Sequence, residues 1–139
     1  MIRKHIRAAA LAAIVAQGLV LGTSLPAQAA DYETDFTEPR TYSSHPKDCV
    51  SVDRYEACVQ PYGDLIWIKD GLKDGHSPYV LWWDQDGDRW GRCTNRQGRD
   101  AGWTACNKNL PEGHEIQWTF HWRNYDGTSE SSANQYTFV

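Results

Sequence analysis

Residues 114–122 constrain the fold more than any other stretch. Ile116, Trp118, Phe120 and Trp122 fall at every second position, with Gln117, Thr119 and His121 between them. Successive strand residues point to opposite faces, so a strict period of two describes a half-buried antiparallel strand. Two further runs, 65–68 and 79–83, are rich in β-branched and aromatic residues and are bounded by Gly, Asp or Pro. Both are almost continuously apolar, which places them in the middle of a sheet with both faces partly covered. Shorter runs at 50–52, 57–59, 89–94, 102–107 and 136–139 are separated by polar Asp/Gly and Ser/Pro connections, among them a polar loop over 124–134. No segment has helical spacing and no internal repeat is visible. Seven or eight short strands in so small a domain predict an all-β fold, a small antiparallel immunoglobulin-like sandwich of two packed sheets.

The start of the chain has another character. Arg3, Lys4 and Arg7 precede an apolar run over 8–21, and Ala27-Gln28-Ala29 supplies small residues at signal-peptidase spacing. Residues 1–30 are therefore expected to be an export signal, leaving about 109 residues as one secreted, extracellular domain. In that compartment the four cysteines, Cys49, Cys58, Cys93 and Cys106, read as two disulfides with three possible pairings. The favoured pairing is Cys49–Cys58 and Cys93–Cys106, each stapling neighbouring strands around a short loop. A zinc site would need paired Cys-x-x-Cys knuckles, which are missing.

Beyond residue 30 the chain carries eleven Lys and Arg against eighteen Asp and Glu, a formal charge of −7. Nucleic acid and anionic membrane both call for a basic face, so neither is expected as a partner. Residues 31–47 place Tyr32, Phe36 and Tyr42 among Asp, Glu, Thr and Ser, with Pro39 and Pro46 interrupting. They read as an extended N-terminal arm preceding the sandwich at 48–139, with a floppy leader or a first edge strand of the same domain as the alternatives. The three aromatics are its candidate partner-binding residues, able to fill a groove or add a strand to another protein.

Chemistry-bearing motifs are sparse. Asp84, Asp86 and Asp88 resemble the first ligands of a calcium loop, but Arg89 and Asn95 stand where such a loop needs Gly and Glu. His45, His76, His114 and His121 could serve a small hydrolase, yet no nucleophile elbow or metal-spaced His/Glu pair accompanies them. No catalytic residue, metal or cofactor is assigned. The tryptophans raise a different question. Trp82 and Trp83 are adjacent on one strand, so only one can enter a single core. Trp82, Trp90 and Trp103 are thus candidate exposed aromatic contacts, for a protein or for a sugar.

The pattern Cys49…Cys58, Gly63-Asp64-x-Ile66-Trp67-x-Lys69-Asp70, Asp74-Gly75-x-Ser77, Trp83, Gly91-Arg92-Cys93 and Trp103-x-x-Cys106 resembles a group of small exported actinobacterial proteins. Some members of that group are similar to the adaptor subunit of umbrella toxin particles. There the adaptor joins a lectin-like subunit to a large repeat-bearing toxin subunit. The resemblance implies a non-catalytic adaptor in interbacterial competition, with 32–42 as an arm inserted into a cleft of the lectin-like subunit. A secreted carbohydrate-binding or inhibitor module and a small secreted hydrolase are the alternatives.

Overall fold

A computed structural model describes residues 32–139, so the expected export signal lies outside the described residues. Eleven strands form two sheets: β1 (Tyr32–Phe36), β2 (Glu38–Pro39), β3 (Asp48–Val52), β4 (Tyr55–Gln60), β5 (Leu65–Lys69), β6 (Tyr79–Asp84), β7 (Trp90–Thr94), β8 (Trp103–Asn107), β9 (Glu115–Arg123), β10 (Ser129–Ser131) and β11 (Gln135–Phe138). The first sheet runs β1-β7-β6-β9-β10, with β11 also on β9; the second runs β2-β8-β5-β4-β3. Pairing is antiparallel except between β1 and β7, which run parallel. The expected small, two-sheet, disulfide-stapled β-sandwich is the observed architecture.

Alternation along the strands builds the core. Val80 and Trp82 of β6, Ile116, Trp118 and Phe120 of β9, and Ala57, Val59, Ile66 and Ile68 of β4 and β5 meet between the sheets and are buried. The two runs read as central strands are central: β5 lies between β4 and β8, and β6 between β7 and β9. Trp118 Nε1–H donates to the Thr137 hydroxyl (3.1 Å), which ties β11 to β9 through a buried polar pair.

Both disulfides have the favoured partners. Cys49–Cys58 links the directly paired strands β3 and β4. Cys93–Cys106 does not join neighbouring strands as expected. It crosses the sandwich from β7 in one sheet to β8 in the other, because 95–102 turns the chain from sheet to sheet. It therefore locks the sheets together, the more useful place for a covalent restraint on a small core.

The largest departure from expectation is the leader. Residues 32–47 do not form a free arm; they enter both sheets. β1 pairs along all of β7, and β2 pairs with β8. Between them Thr37 is buried: its N–H donates to Thr94 O (2.9 Å) and its hydroxyl accepts from the Thr104 hydroxyl (2.8 Å). Residues 40–47 then run across the outer face of the second sheet to reach β3. There they cover a small separate core of Cys58, Leu65, Trp67 and Ala105. Ser129–Ser131, read as loop, is likewise a short strand against β9.

Candidate binding faces

The leader is held by three kinds of contact. Charge comes first. Glu33 and Asp35 face inward, where Lys108 Nζ lies 2.7 Å from Glu33 Oε2 and also bonds Asp35. Arg89 reaches Glu33 through Nε (2.8 Å) and Nη2 (3.2 Å). The Lys108 side chain is only 3% exposed, so its ammonium depends on these two leader carboxylates. The Arg89 hydrogen bonds, aided by Lys108, hold the Glu33 carboxyl below its usual range against the opposing effect of burial, and Glu33 raises the Arg89 guanidinium.

Close backbone approach comes second. A Cβ on Gly91 would lie 2.4 Å from Glu33 O, so β1 can lie against β7 only because residue 91 is glycine. Aromatic cover is third. Tyr32 packs on Trp90 (4.6 Å between ring centroids). Tyr42 stacks on Trp103 (4.3 Å) and meets Trp67 edge-on (5.2 Å). Phe36 lies under the Arg96 guanidinium, 3.5 Å from its ring centroid. The three aromatics assigned to partner binding are thus in contact with the chain's own domain, although each keeps about two-fifths of its surface exposed.

The candidate tryptophans divide accordingly. Trp82 is not a contact residue: it is wholly buried, with Lys108 Nζ 4.9 Å and the Arg89 guanidinium 5.6 Å from its ring centroid. Its neighbour Trp83 is the outward member of the pair. Trp90 and Trp103 are half-buried beneath leader tyrosines. Leader aromatics cover the strand tryptophans, a pairing that needs the fold to be seen.

With the second sheet covered, the first sheet's outer face stands out. Register aligns Tyr32, Trp90, Trp83, Gln117 and Tyr136 in one row across β1, β7, β6, β9 and β11. At the usual strand spacing this row spans about 19 Å. Tyr136 is 52% exposed, and Phe138 beside it 67%. The sequence did not point to Tyr136 and Phe138, and it raised Trp83 only as one member of an adjacent pair. The alternation of aromatic and polar residues in Tyr136-Thr137-Phe138 is the signal the sequence offers.

The histidines are dispersed rather than assembled. His114 Nδ1 lies 2.9 Å from the buried Asp84 carboxylate. His76 sits between Asp74 (3.4 Å) and Arg123 (2.7 Å). His121 stacks on Tyr79 (4.6 Å), and burial, then Arg92, lowers its pKa. His45 stacks on Tyr62 (4.1 Å). Of these, His76 and His121 share a concavity, a cleft of about 200 Å³ that Arg123 and Glu130 also line. In the Asp84–Asp88 turn, Asp84 Oδ1 accepts from Asp86 N (3.1 Å), and Asp86 accepts from Glu115 N (2.8 Å). Those oxygens organise a turn. Among the described residues, no group of three or more His, Cys, Asp or Glu is placed to hold a metal ion.

A scan of family models, a search of curated proteins and a search of solved structures each return no match to this chain.

Proposed function

We propose that this chain is an exported, non-catalytic interaction module that acts as an adaptor between other secreted proteins. In the reading implied by its sequence resemblance, these are a lectin-like subunit and a large repeat-bearing toxin subunit of an extracellular antibacterial particle. Two disulfides in a small domain fit an oxidising, extracellular setting. Among the described residues no helix is long and apolar enough to cross a membrane.

The observation that carries the proposal is the aromatic row on the first sheet's outer face. Rigid aromatics on a preorganised sheet offer large contact area at low entropic cost, a common composition for the centre of a protein interface. The leader enters this reading in a changed role. Insertion of 32–42 into another subunit would require breaking the Glu33 and Asp35 ion pairs and peeling β1 from β7. The row offers a partner a surface with no such cost, and Tyr32 contributes to it from its place on β1.

The test is affinity purification of the tagged mature protein from culture supernatant, followed by mass spectrometry. Recovery of large secreted partners by the native protein, and their loss with Trp83→Ala plus Tyr136→Ala, is the expected result. A native protein that runs alone at its monomer mass contradicts the proposal. Binding of the isolated domain to cell-wall polysaccharide through the same row would replace the adaptor reading with a carbohydrate-binding one.

A further inference from the structure

The leader's passage over the second sheet leaves a groove of about 370 Å³. Its floor is Leu65 and Trp67 of β5, both buried, and its walls include Arg40, Thr41 and Ser43 on one side and Tyr62 on the other. Tyr62 is 69% exposed and stacks on the ring of His45, which also lines the groove, so the stack holds the aromatic ring in place there.

The groove is well supported from below. Gln60 is 1% exposed; its Oε1 accepts from Trp67 Nε1 (3.1 Å) and Ser43 Oγ (2.5 Å), while its Nε2 donates to Tyr62 O. One buried amide thereby fixes the floor, the leader wall and the Tyr62 loop together. Asn107 Oδ1 accepts from Asn109 N (3.2 Å), which leaves its side-chain NH₂ available at the rim.

Charge sets this groove apart. Three other concavities are described, and each has at least one carboxylate in its walls: Asp70 and Asp100, Glu130, or Asp35 and Glu38. This one has none, in a domain that is strongly acidic beyond residue 30. Its charged lining group is Arg40, which also borders the adjoining hollow of Asp35 and Glu38 but whose guanidinium hydrogen-bonds to neither carboxylate and has no hydrogen-bond partner among the described residues. A free fork of donors beside an aromatic plane and an apolar floor matches a ligand with one carboxylate on a ring-sized body.

We propose that this groove binds a carboxylate-bearing sugar, a uronic acid residue or a short chain of them. The sugar's apolar face lies on Tyr62. Its carboxylate is forked by Arg40, and its hydroxyls meet the Asn107 amide and the Thr41 hydroxyl. The site is on the opposite face from the aromatic row and does not depend on the adaptor reading. A module with both faces in use would hold an acidic glycan on one and a protein on the other.

The test uses the mature protein titrated with tri-galacturonate, followed by NMR. Expected are shifts at Arg40, Thr41, Tyr62 and Asn107, and no comparable shifts with neutral tri-galactose. Arg40→Gln and Tyr62→Ala should each weaken tri-galacturonate binding by about tenfold or more, as loss of a charge-assisted hydrogen bond or a stacking surface does. Both residues are exposed, so the variants should fold, which unchanged dispersion of the Trp indole signals would verify. Trp83→Ala plus Tyr136→Ala should leave the sugar titration unchanged, which separates this site from the adaptor surface. Equal binding of the neutral trisaccharide overturns the proposal. So do no binding at millimolar sugar, shifts confined to the opposite face, or a response to the carboxylate of acetyl-Ala-Ala but not to the sugar acid.

Discussion

The two outer faces of the sandwich begin from similar strands and end differently. On the second sheet, Trp67 points outward but is 1% exposed, because residues 40–47 cross above it and Tyr42 closes against it. On the first sheet, Trp83 points outward from an equally central strand and is half-buried, and among the described residues no leader stretch comparable to 40–47 lies over it. Its row continues instead to the exposed Tyr136. An outward aromatic is therefore structural or available according to where the chain's first described residues run. The leader converts one face into a second core and leaves aromatic side chains partly exposed on the other.

The sharpest way to break this contrast is to truncate each tryptophan. Trp67→Ala empties a closed site and removes one of the hydrogen bonds to buried Gln60, and should cost about 3–5 kcal/mol in urea unfolding. Trp83→Ala on the half-open face should cost clearly less. Equal losses would mean that the faces are energetically alike.

The ion cluster offers the next test. Glu33→Ala plus Asp35→Ala leaves the buried Lys108 ammonium without a carboxylate and should cost about 3 kcal/mol. Lys108→Met leaves two carboxylates that are already partly solvated, 28% and 43% exposed, and should cost less. If Lys108→Met is the more damaging change, the charge does not hold the leader in the way described. Gly91→Ala follows, at about 1–3 kcal/mol, because its methyl would meet the β1 backbone.

Acid should loosen the leader more gently. In the folded protein the Glu33 carboxyl is held below its ordinary value of 4.5, with the Arg89 hydrogen bonds as the largest cause. A depressed carboxyl pKa contributes stability that is present above the unfolded value and lost as pH falls through the folded one. Amide protection in β1 should therefore decline below about pH 4.5, and Arg89→Gln should blunt that decline. The smallest stability effect is expected for Tyr136→Ala, within about 0.5 kcal/mol, with weakening of the proposed partner binding as its main consequence.

Much of the sandwich was legible because period and propensity agree. The strands at 65–69, 79–84 and 115–123 and the disulfide partners all follow from local pattern. The leader was not legible, for a specific reason. Tyr32, Glu33, Thr34, Asp35 and Phe36 do alternate, but the two carboxylates point inward while Tyr32, Thr34 and Phe36 point outward, the reverse of an ordinary half-buried strand. Such a strand is stable only if buried cations answer its carboxylates. Lys108 and Arg89 lie more than fifty residues away in sequence. Trp82 and Trp83 could not be assigned to inside and outside from their adjacency alone. The groove beside Arg40 was invisible because it exists only where the leader passes over β5.

The most direct test of the leader's place is native-state hydrogen exchange on the mature protein at neutral pH. The Thr37 amide, which donates to Thr94 O at 2.9 Å, should be protected to a degree comparable with the β7 amides. Exchange of residues 32–42 at the rates of an unfolded chain, with the rest of the sandwich protected, would show a free arm and contradict the account.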